Sequence, residues 1–348
     1  MADEAPPVDP LRHHGDAEVR GSGLLDLAVN VHDGPRPAWL DTALHAAVDA
    51  SGAYPSPTEA EAALARRHDR PAEEVLATAG AAEAFSLVAR WRAWRRPVVV
   101  HPQFTEPHAA LEQAGHDVTP VLLPEPFVLD PAAVPDDADL VVLGNPTNPT
   151  GVLHPAEAVQ ALLRPGRVVL VDEAFMDAVP GETASVAGLR APGLVVVRSL
   201  TKHWGVPGVR AGYLLASRRS VAALRRGQVP WSVATTAAAA MTACSTPAAV
   251  AEGARRAREV VAHREHLERG LADLGVDHVT SAAPFVLVRA GHGAHGRLRE
   301  RGIAVRRADT FPGLDDTWVR VAVRAPAVSD RLLAALATPA TPPTAVER

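Results

Sequence analysis

The chain has 348 residues, of which 47% are hydrophobic and 22% are charged, so it is long enough to bury the core of one large domain and a smaller one. Its formal net charge of −5 gives no reason to expect a nucleic acid or a membrane as a partner. The lone Cys244 excludes an intramolecular disulfide, and no cysteine and histidine cluster has the spacing of a metal site.

Both ends of the chain are rich in proline, alanine and charge, and we expect them to be poorly ordered. The N-terminus lacks the basic and apolar blocks of a signal peptide, and no apolar run reaches the length of a membrane span, so the sequence predicts a cytoplasmic protein. We predict an N-terminal arm that partly joins the small domain, a large domain, a small C-terminal domain and a disordered tail, at residues 1–35, 36–240, 241–335 and 336–348.

Short apolar runs alternate with helical patterns through the first two thirds of the chain. EEVLATA predicts a strand that leads into a helix at GAAE, and RRPVVVHP, ADLVVLGNP, GRVVLVDEAF and PGLVVVRSLTK each contain a further strand. Continuous valine and leucine runs are typical of strands buried on both faces, so we predict an α/β fold with a mostly parallel sheet covered by helices. Later, a long amphipathic helix and the strands FVLVRA and TWVRVAVR predict a small α+β domain.

Polar side chains follow three central strands of this predicted sheet. Residues 145–151 come after the first, Asp172 and Glu173 after the second, and Ser199, Thr201 and Lys202 after the third. Ligands of open α/β sheets bind outside the carboxyl ends of the strands. The sequence therefore predicts one binding site built from these ends.

The residue types at this site suit one cofactor. A lysine becomes a nucleophile when burial or neighbouring charge lowers its pKa, and pyridoxal phosphate needs such a lysine together with an acidic partner for its ring nitrogen. The helix that begins at Gly80 offers backbone N–H groups to a phosphate, and Arg210 adds a fixed positive charge. Phe104, which follows another strand, could stack on the ring, although it could also be a core aromatic.

The motifs GAAE, NPTNPTG, VDEAF and SLTKHWGVPGVRAGY, in this order, resemble those of the fold-type-I pyridoxal-phosphate enzymes in the class I/II aminotransferase family, over roughly residues 30–324. The resemblance implies the aspartate aminotransferase-like fold and a catalytic role for Lys202 and Asp172. It implies that the cofactor is held by Gly80, Ala81, Ala82, Phe104, Asn148, Asp172, Phe175, Ser199, Thr201, Lys202 and Arg210. It also implies a homodimer in which Tyr54 reaches the phosphate bound by the neighbouring subunit.

The substrate residues follow from the same resemblance. Arg320 looks like the arginine that clamps a substrate carboxylate, with Arg324 on the same strand face as the alternative. Most aminotransferases of this group have tyrosine where this chain has Phe175, so Asn148 would contact the 3′-oxygen of the ring alone.

Four further stretches point to a smaller group within this family: DEAF, GIAVRRADTFPGL, VRVAVR and an altered N-terminal HHGD…LDLAVNVHDGP. These stretches are similar to threonine-phosphate decarboxylase and related cobalamin-pathway proteins of the CobC type. That similarity implies a small phosphorylated amino acid as substrate, surrounded by His14, Asn30, His32 and Arg306.

Several alternatives stay open at the level of sequence. Loss of CO₂ would make the chain a decarboxylase, loss of the Cα proton would make it a transaminase of the histidinol-phosphate type, and a non-catalytic binding protein on the same fold is the third alternative. If these residues had no function, Lys202 would be a solvated loop residue, Asp172 an N-cap and Glu173 an exposed helix charge. GHGAHG, residues 291–296, matches the dinucleotide pattern, but too little chain follows it for a second βα half.

Overall fold

A computed structural model of the chain describes residues 9–338. The strands, β1 to β11, are Leu25–Leu27, Val75–Ala79, Pro97–His101, Thr119–Leu122, Leu140–Gly144, Val168–Asp172, Leu194–Ser199, Ala211–Ala216, Phe285–Arg289, Ile303–Arg307 and Trp318–Ala322. The helices, α1 to α11, are Asp16–Val19, Ala38–Asp49, Thr58–Arg67, Gly80–Ala89, Glu106–Gln113, Ala156–Gln160, Arg218–Gly227, Thr235–Cys244, Pro247–Asp273, Ala294–Glu300 and Pro326–Ala337.

The large sheet has seven strands in the order β2-β8-β7-β6-β5-β3-β4, and only β8 runs against the others. Alternate residues of each central strand enter different cores: Val169 and Val171 of β6 pack on one face, and Val168 and Leu170 on the other. Burial on both faces explains why these strands are continuous apolar runs. The predicted α/β fold with a mostly parallel sheet is confirmed.

Strand register aligns the carboxyl ends of the central strands. Gly144 of β5 lies opposite Asp172 of β6, and Asp172 lies opposite Val197 of β7. The residues that follow each strand therefore emerge at one edge of the sheet.

A second sheet has the order β1-β10-β11-β9, so the N-terminal strand β1 pairs in parallel with β10 from the far end of the chain. Helix α9 extends over 27 residues from a Thr246 cap, with Pro247 in its first turn, and its buried Leu267 and Leu271 pack into the core of this small sheet.

Two predictions concern the limits of the chain. Helix α11 ends at Ala337, two residues into the tail predicted for 336–348, and residues 339–348 of that tail lie outside the described residues, as do residues 1–8. The boundaries predicted between domains stay a prediction. Within residues 9–338, no helix combines the length and apolar character needed to cross a bilayer.

Candidate active site

Lys202 follows strand β7 and is the only lysine in the sequence. Burial, together with the positive charges of Arg320 and Arg210, lowers the pKa of its amine from 10.5 to about 8, against the opposing charge of Asp172. An amine with a pKa of about 8 is neutral in roughly a tenth of molecules at pH 7, far more than an ordinary lysine, and the neutral form is the nucleophile.

Asp172 ends strand β6 and is buried. Burial raises the pKa of its carboxyl from 3.8 to about 6, although a hydrogen bond from Ala174 N to Oδ1 (3.0 Å) and the charge of Lys202 both favour the ionised form. This contact spans two residues, as in an Asx turn, and the next helical turn, Met176–Ala178, has Phe175 at its N-cap, so the interpretation of Asp172 as an N-cap is wrong. The hydrogen bond occupies one oxygen, and the other oxygen can accept from a cation beside it.

The N-terminus of helix α4 forms a cradle of small residues. Gly80 adopts a positive φ of 75°, and a Cβ there would lie 2.6 Å from Nη2 of Arg210. A Cβ on Gly212 of β8 would lie 2.6 Å from the carbonyl carbon of Gly80 and 2.8 Å from Ala81 N. Glycine at both positions lets β8, the helix start and the guanidinium approach closely. Gly212 was not predicted as a site residue.

Hydroxyl and guanidinium groups complete the cradle. Ser199 lies opposite Gly212 in the β7–β8 ladder, and its Oγ lies 2.8 Å from Oγ1 of Thr201. Arg210 has a left-handed backbone, with φ of 59°, and is exposed. Such strain in a non-glycine residue is typical of functional sites. Backbone N–H groups, two hydroxyls and a guanidinium together suit a phosphate dianion.

Arg320 of β11 reaches from the small domain into this site. Nη1 donates to Asn148 Oδ1 and Nη2 to Ala28 O, both at 2.5 Å. With its amide oxygen turned to the guanidinium, Asn30 accepts from Nε at 3.0 Å and from Nη1 at 3.1 Å. The structure thus brings together three predicted site residues from distant parts of the sequence.

Arg306 of β10 lies directly opposite Arg320 in the β10–β11 ladder. Its Nη2 donates to His13 O at 2.6 Å and to Thr310 Oγ1 at 2.7 Å, and Nη1 donates to Arg307 O at 2.6 Å. Burial lowers the pKa of Arg306 to about 10 and holds that of Arg320 well below its ordinary value. Among residues 9–338, neither guanidinium has a carboxylate within 4 Å.

Phe104 and Phe175, two predicted cofactor residues, each contact another ring. The ring of Phe104 lies 5.8 Å from that of His14, whose Nε2 is 2.8 Å from Oε1 of Glu106. Phe175 is buried and packs edge to face on Phe285, with ring centres 4.9 Å apart. Phe104 also packs on a core cluster, so both interpretations of that ring remain open.

His32 and Arg324 line a cavity of about 240 Å³ whose lining also includes Asn30, Phe175 and Lys202. Arg324 donates to Val29 O at 2.7 Å and forms an ion pair with Asp33. Because its charge is matched, Arg324 is less suited than Arg320 to receive a substrate anion.

Tyr54 lies on the surface with 78% of its area exposed and stacks on the exposed Trp231, with ring centres 4.5 Å apart. Two large aromatic rings exposed together mark a surface that favours association.

The interpretation of Glu173 as an exposed helix charge is wrong. Its carboxylate is buried, accepts from Ser185 Oγ and Val186 N at 2.7 Å each, and pairs with the fully buried Arg198 at 3.0 Å. Arg198 also pairs with Asp177 at 2.6 Å. Glu173 follows β6 and Arg198 lies near the end of β7, so their ion pair joins the strand ends that carry Asp172 and Lys202.

The family described as "Aminotransferase class I and II" matches residues 22–337. A histidinol-phosphate aminotransferase of Mycobacterium tuberculosis is 47% identical over 324 residues, which cover 91% of this chain and 88% of the relative. The chain belongs to the class I and II aminotransferase family. The threonine-phosphate decarboxylase of Salmonella typhimurium is 34% identical over 333 residues, covering 90% of each. A double mutant of the aspartate aminotransferase of Thermus thermophilus shares the fold, with a TM-score of 0.82 and 24% identity over 91% of this chain and 92% of that one.

This aminotransferase-family protein is a pyridoxal-phosphate enzyme, as predicted, and the alternative of a non-catalytic binding protein falls away. Its residues fit the cofactor on structural grounds. The space that a Cβ would fill at Gly80 and Gly212 is bordered by phosphate donors, and a partly neutral amine and a buried carboxylate lie at the neighbouring strand ends.

Proposed function

We propose that this enzyme acts on a small amino acid that carries a second anionic group, with a phosphorylated amino acid of the O-phosphothreonine type as the favoured substrate and decarboxylation as the favoured reaction. The observation that carries the proposal is the pair of buried guanidinium groups, Arg306 and Arg320, on neighbouring strands. Each is bound only by neutral acceptors among residues 9–338.

An unpaired buried cation is costly, so the site is stabilised by an anion that joins it. Repulsion from Arg306 is one cause of the lowered pKa of Arg320, which indicates that the two charges act on the same space. Two such charges suit a substrate with both a carboxylate and a phosphate. Histidinol phosphate has the phosphate but no carboxylate.

Each residue of the site has a proposed role. Arg320, with Asn30 bound to its guanidinium, would hold the substrate carboxylate. Arg306 would favour the phosphate, and His14 and His32 are the further predicted substrate residues. Pyridoxal phosphate, when bound, supplies the electron sink for negative charge at Cα.

Asp172 would hold a proton at the ring nitrogen of the cofactor, and Asn148 would donate to its 3′-oxygen. The phosphate of the cofactor would lie against Gly80, Ala81, Ala82, Ser199, Thr201 and Arg210. Lys202 would attach the cofactor and then carry protons to and from Cα, a task that suits an amine with a pKa of about 8.

Transamination of the histidinol-phosphate type is the second candidate. It is favoured by the 47% identity to a relative named for that reaction, against 34% to the decarboxylase. Phe175 favours decarboxylation instead. It has no hydroxyl, and it ends the DEAF stretch, which is similar to that of threonine-phosphate decarboxylase.

The test is an assay of the enzyme with O-phospho-L-threonine and no keto acid, followed for CO₂ and by mass spectrometry. Release of 1-amino-2-propanol phosphate supports decarboxylation. Amino transfer from histidinol phosphate to 2-oxoglutarate, without CO₂, supports the second candidate. L-Threonine is the matched control and is expected to react poorly.

Arg306→Ala and His32→Ala are expected to weaken the reaction of the phosphorylated substrate more than that of L-threonine, by a charge-assisted contact on the order of 1.5–3 kcal/mol. Equal loss for both substrates would remove these residues from the phosphate site.

A further inference from the structure

Glu18 of helix α1 is held between two histidines. Its Oε1 lies 2.8 Å from Nε2 of His13, and its Oε2 lies 2.9 Å from Nε2 of His295. The side chain is 6% exposed. Burial alone would raise the pKa of Glu18, but the hydrogen bonds from His295 and His13 outweigh burial and lower it to about 2. Glu18 is therefore ionised at neutral pH, and both histidines donate to it.

His295 belongs to GHGAHG, the stretch that matches a dinucleotide pattern. It lies in the first turn of α10, a helix of seven residues. Arg299 of the same helix donates to Glu18 O at 2.8 Å. This stretch thus binds the N-terminal arm.

The arm also contacts the large domain and the substrate arginines. Thr105 Oγ1 donates to Leu11 O at 2.6 Å, and Arg306 donates to His13 O at 2.6 Å. Gly15 lies so close to Arg320 that a Cβ there would be 3.4 Å from Nη2. The arm therefore lies against both guanidinium groups.

The acidic side chains nearest the two guanidinium groups are all engaged by other groups. Asp26 Oδ1 accepts from Ala28 N and Val29 N at 2.9 Å, and Asp309 accepts from Arg307. Glu18 is the third, and its charge acts on both Arg306 and Arg320. Each of its oxygens is bound by one of the two histidines.

We propose that His13 and His295 are positioning residues that determine anion specificity, because they hold the Glu18 carboxylate and so keep Arg306 and Arg320 open to the anions of the substrate. Without one histidine, a buried carboxylate oxygen loses its donor, and the nearby guanidinium groups replace it. Glu18 then competes with the substrate for its own site. The proposal rests on the proposed function only in taking those guanidinium groups as the place where the substrate anions bind.

The test is calorimetric titration of the holoenzyme with inorganic phosphate, which needs only the open guanidinium groups. His295→Ala is expected to weaken phosphate binding about tenfold, the size of one hydrogen bond to a charged group. Adding Glu18→Gln to His295→Ala is expected to restore binding to within about twofold of the wild type, because the competing charge is gone. His13→Ala, which removes the other donor, tests the same effect if His295→Ala does not fold.

His292→Ala is the matched control, since His292 lies in the same GHGAHG stretch but is exposed and pairs with Asp316. It is expected to bind phosphate like the wild type. The proposal is overturned if His295→Ala binds phosphate as tightly as the wild type, if the double variant binds no better than His295→Ala, or if the wild type binds no phosphate. A wild type that binds phosphate but reacts with no phosphorylated amino acid counts against the proposed function alone.

Discussion

The amine of Lys202 lies between two arginines and an aspartate, and these neighbours govern when it can react. The pKa of this amine is about 8, lowered first by burial and then by Arg320 and Arg210. Below that pH most of the amine is protonated, and only the neutral fraction can attack a carbonyl carbon.

We expect the cofactor-free protein to take up pyridoxal phosphate faster as pH rises through about 8, because the neutral fraction of the Lys202 amine increases there. Stopped-flow absorbance measures the rate. Because Lys202 is the only lysine, borohydride reduction and tryptic mapping should place the cofactor on residues 199–210.

Arg320→Gln is the companion variant for this measurement. Removing one repelling charge should raise the pH midpoint, since the pKa of the amine then moves back toward its ordinary value. A midpoint near 10.5 in the unaltered protein, the value of a free lysine, would contradict the environment described for Lys202.

The sequence was enough to predict the positions of site residues that directly follow a strand. Lys202, Asp172 and Ser199 follow apolar runs that could be recognised as strands, so their meeting could be predicted. Glu173 was placed wrongly because its partner, Arg198, lies 25 residues away inside a neighbouring strand. Glu18 and His295, 277 residues apart, gave no signal at all.

At the scale of elements, the meeting of β8 with the start of α4 builds the phosphate cradle. Gly212 was overlooked. A glycine in a strand can mark a place where another backbone segment packs closely, but the sequence does not show that this segment is the start of α4. Strand β10 was also missed, and with it the ladder that sets Arg306 opposite Arg320.

Gly212→Ala is expected to weaken cofactor binding and to destabilise the fold by about 1–3 kcal/mol, because the added methyl group overlaps backbone atoms that cannot move independently. Cofactor titration and denaturant unfolding measure the two effects. Gly227→Ala is the control, since its Cβ would find its nearest atom at 3.9 Å and both properties should change little. Equal behaviour of the two variants would show that the close approach has no role.

At the scale of the whole molecule, the stacked Tyr54 and Trp231 expose two large aromatic rings on one side of the chain. We propose that a second copy of the chain covers this side and that Tyr54 serves the phosphate site of the partner subunit. Trp231 holds a left-handed backbone, with φ of 57°, while exposed, a combination that an interface would stabilise.

Mixing two inactive variants tests the arrangement. In a heterodimer of Lys202→Ala and Tyr54→Ala, one of the two sites combines an intact lysine with an intact tyrosine from the other subunit. Unfolding and refolding an equal mixture should therefore restore about a quarter of the wild-type activity. No recovery above that of Tyr54→Ala alone would mean that Tyr54 does not act across the dimer.

The pairing of β1 with β10 has a consequence for synthesis of the chain. Leu25–Leu27 leaves the ribosome early, but Ile303–Arg307 follows only when the chain is nearly complete. At ordinary elongation rates, that interval is on the order of tens of seconds. The large domain can therefore collapse while the arm is still unpaired, and the substrate arginines are assembled in the last moments of translation.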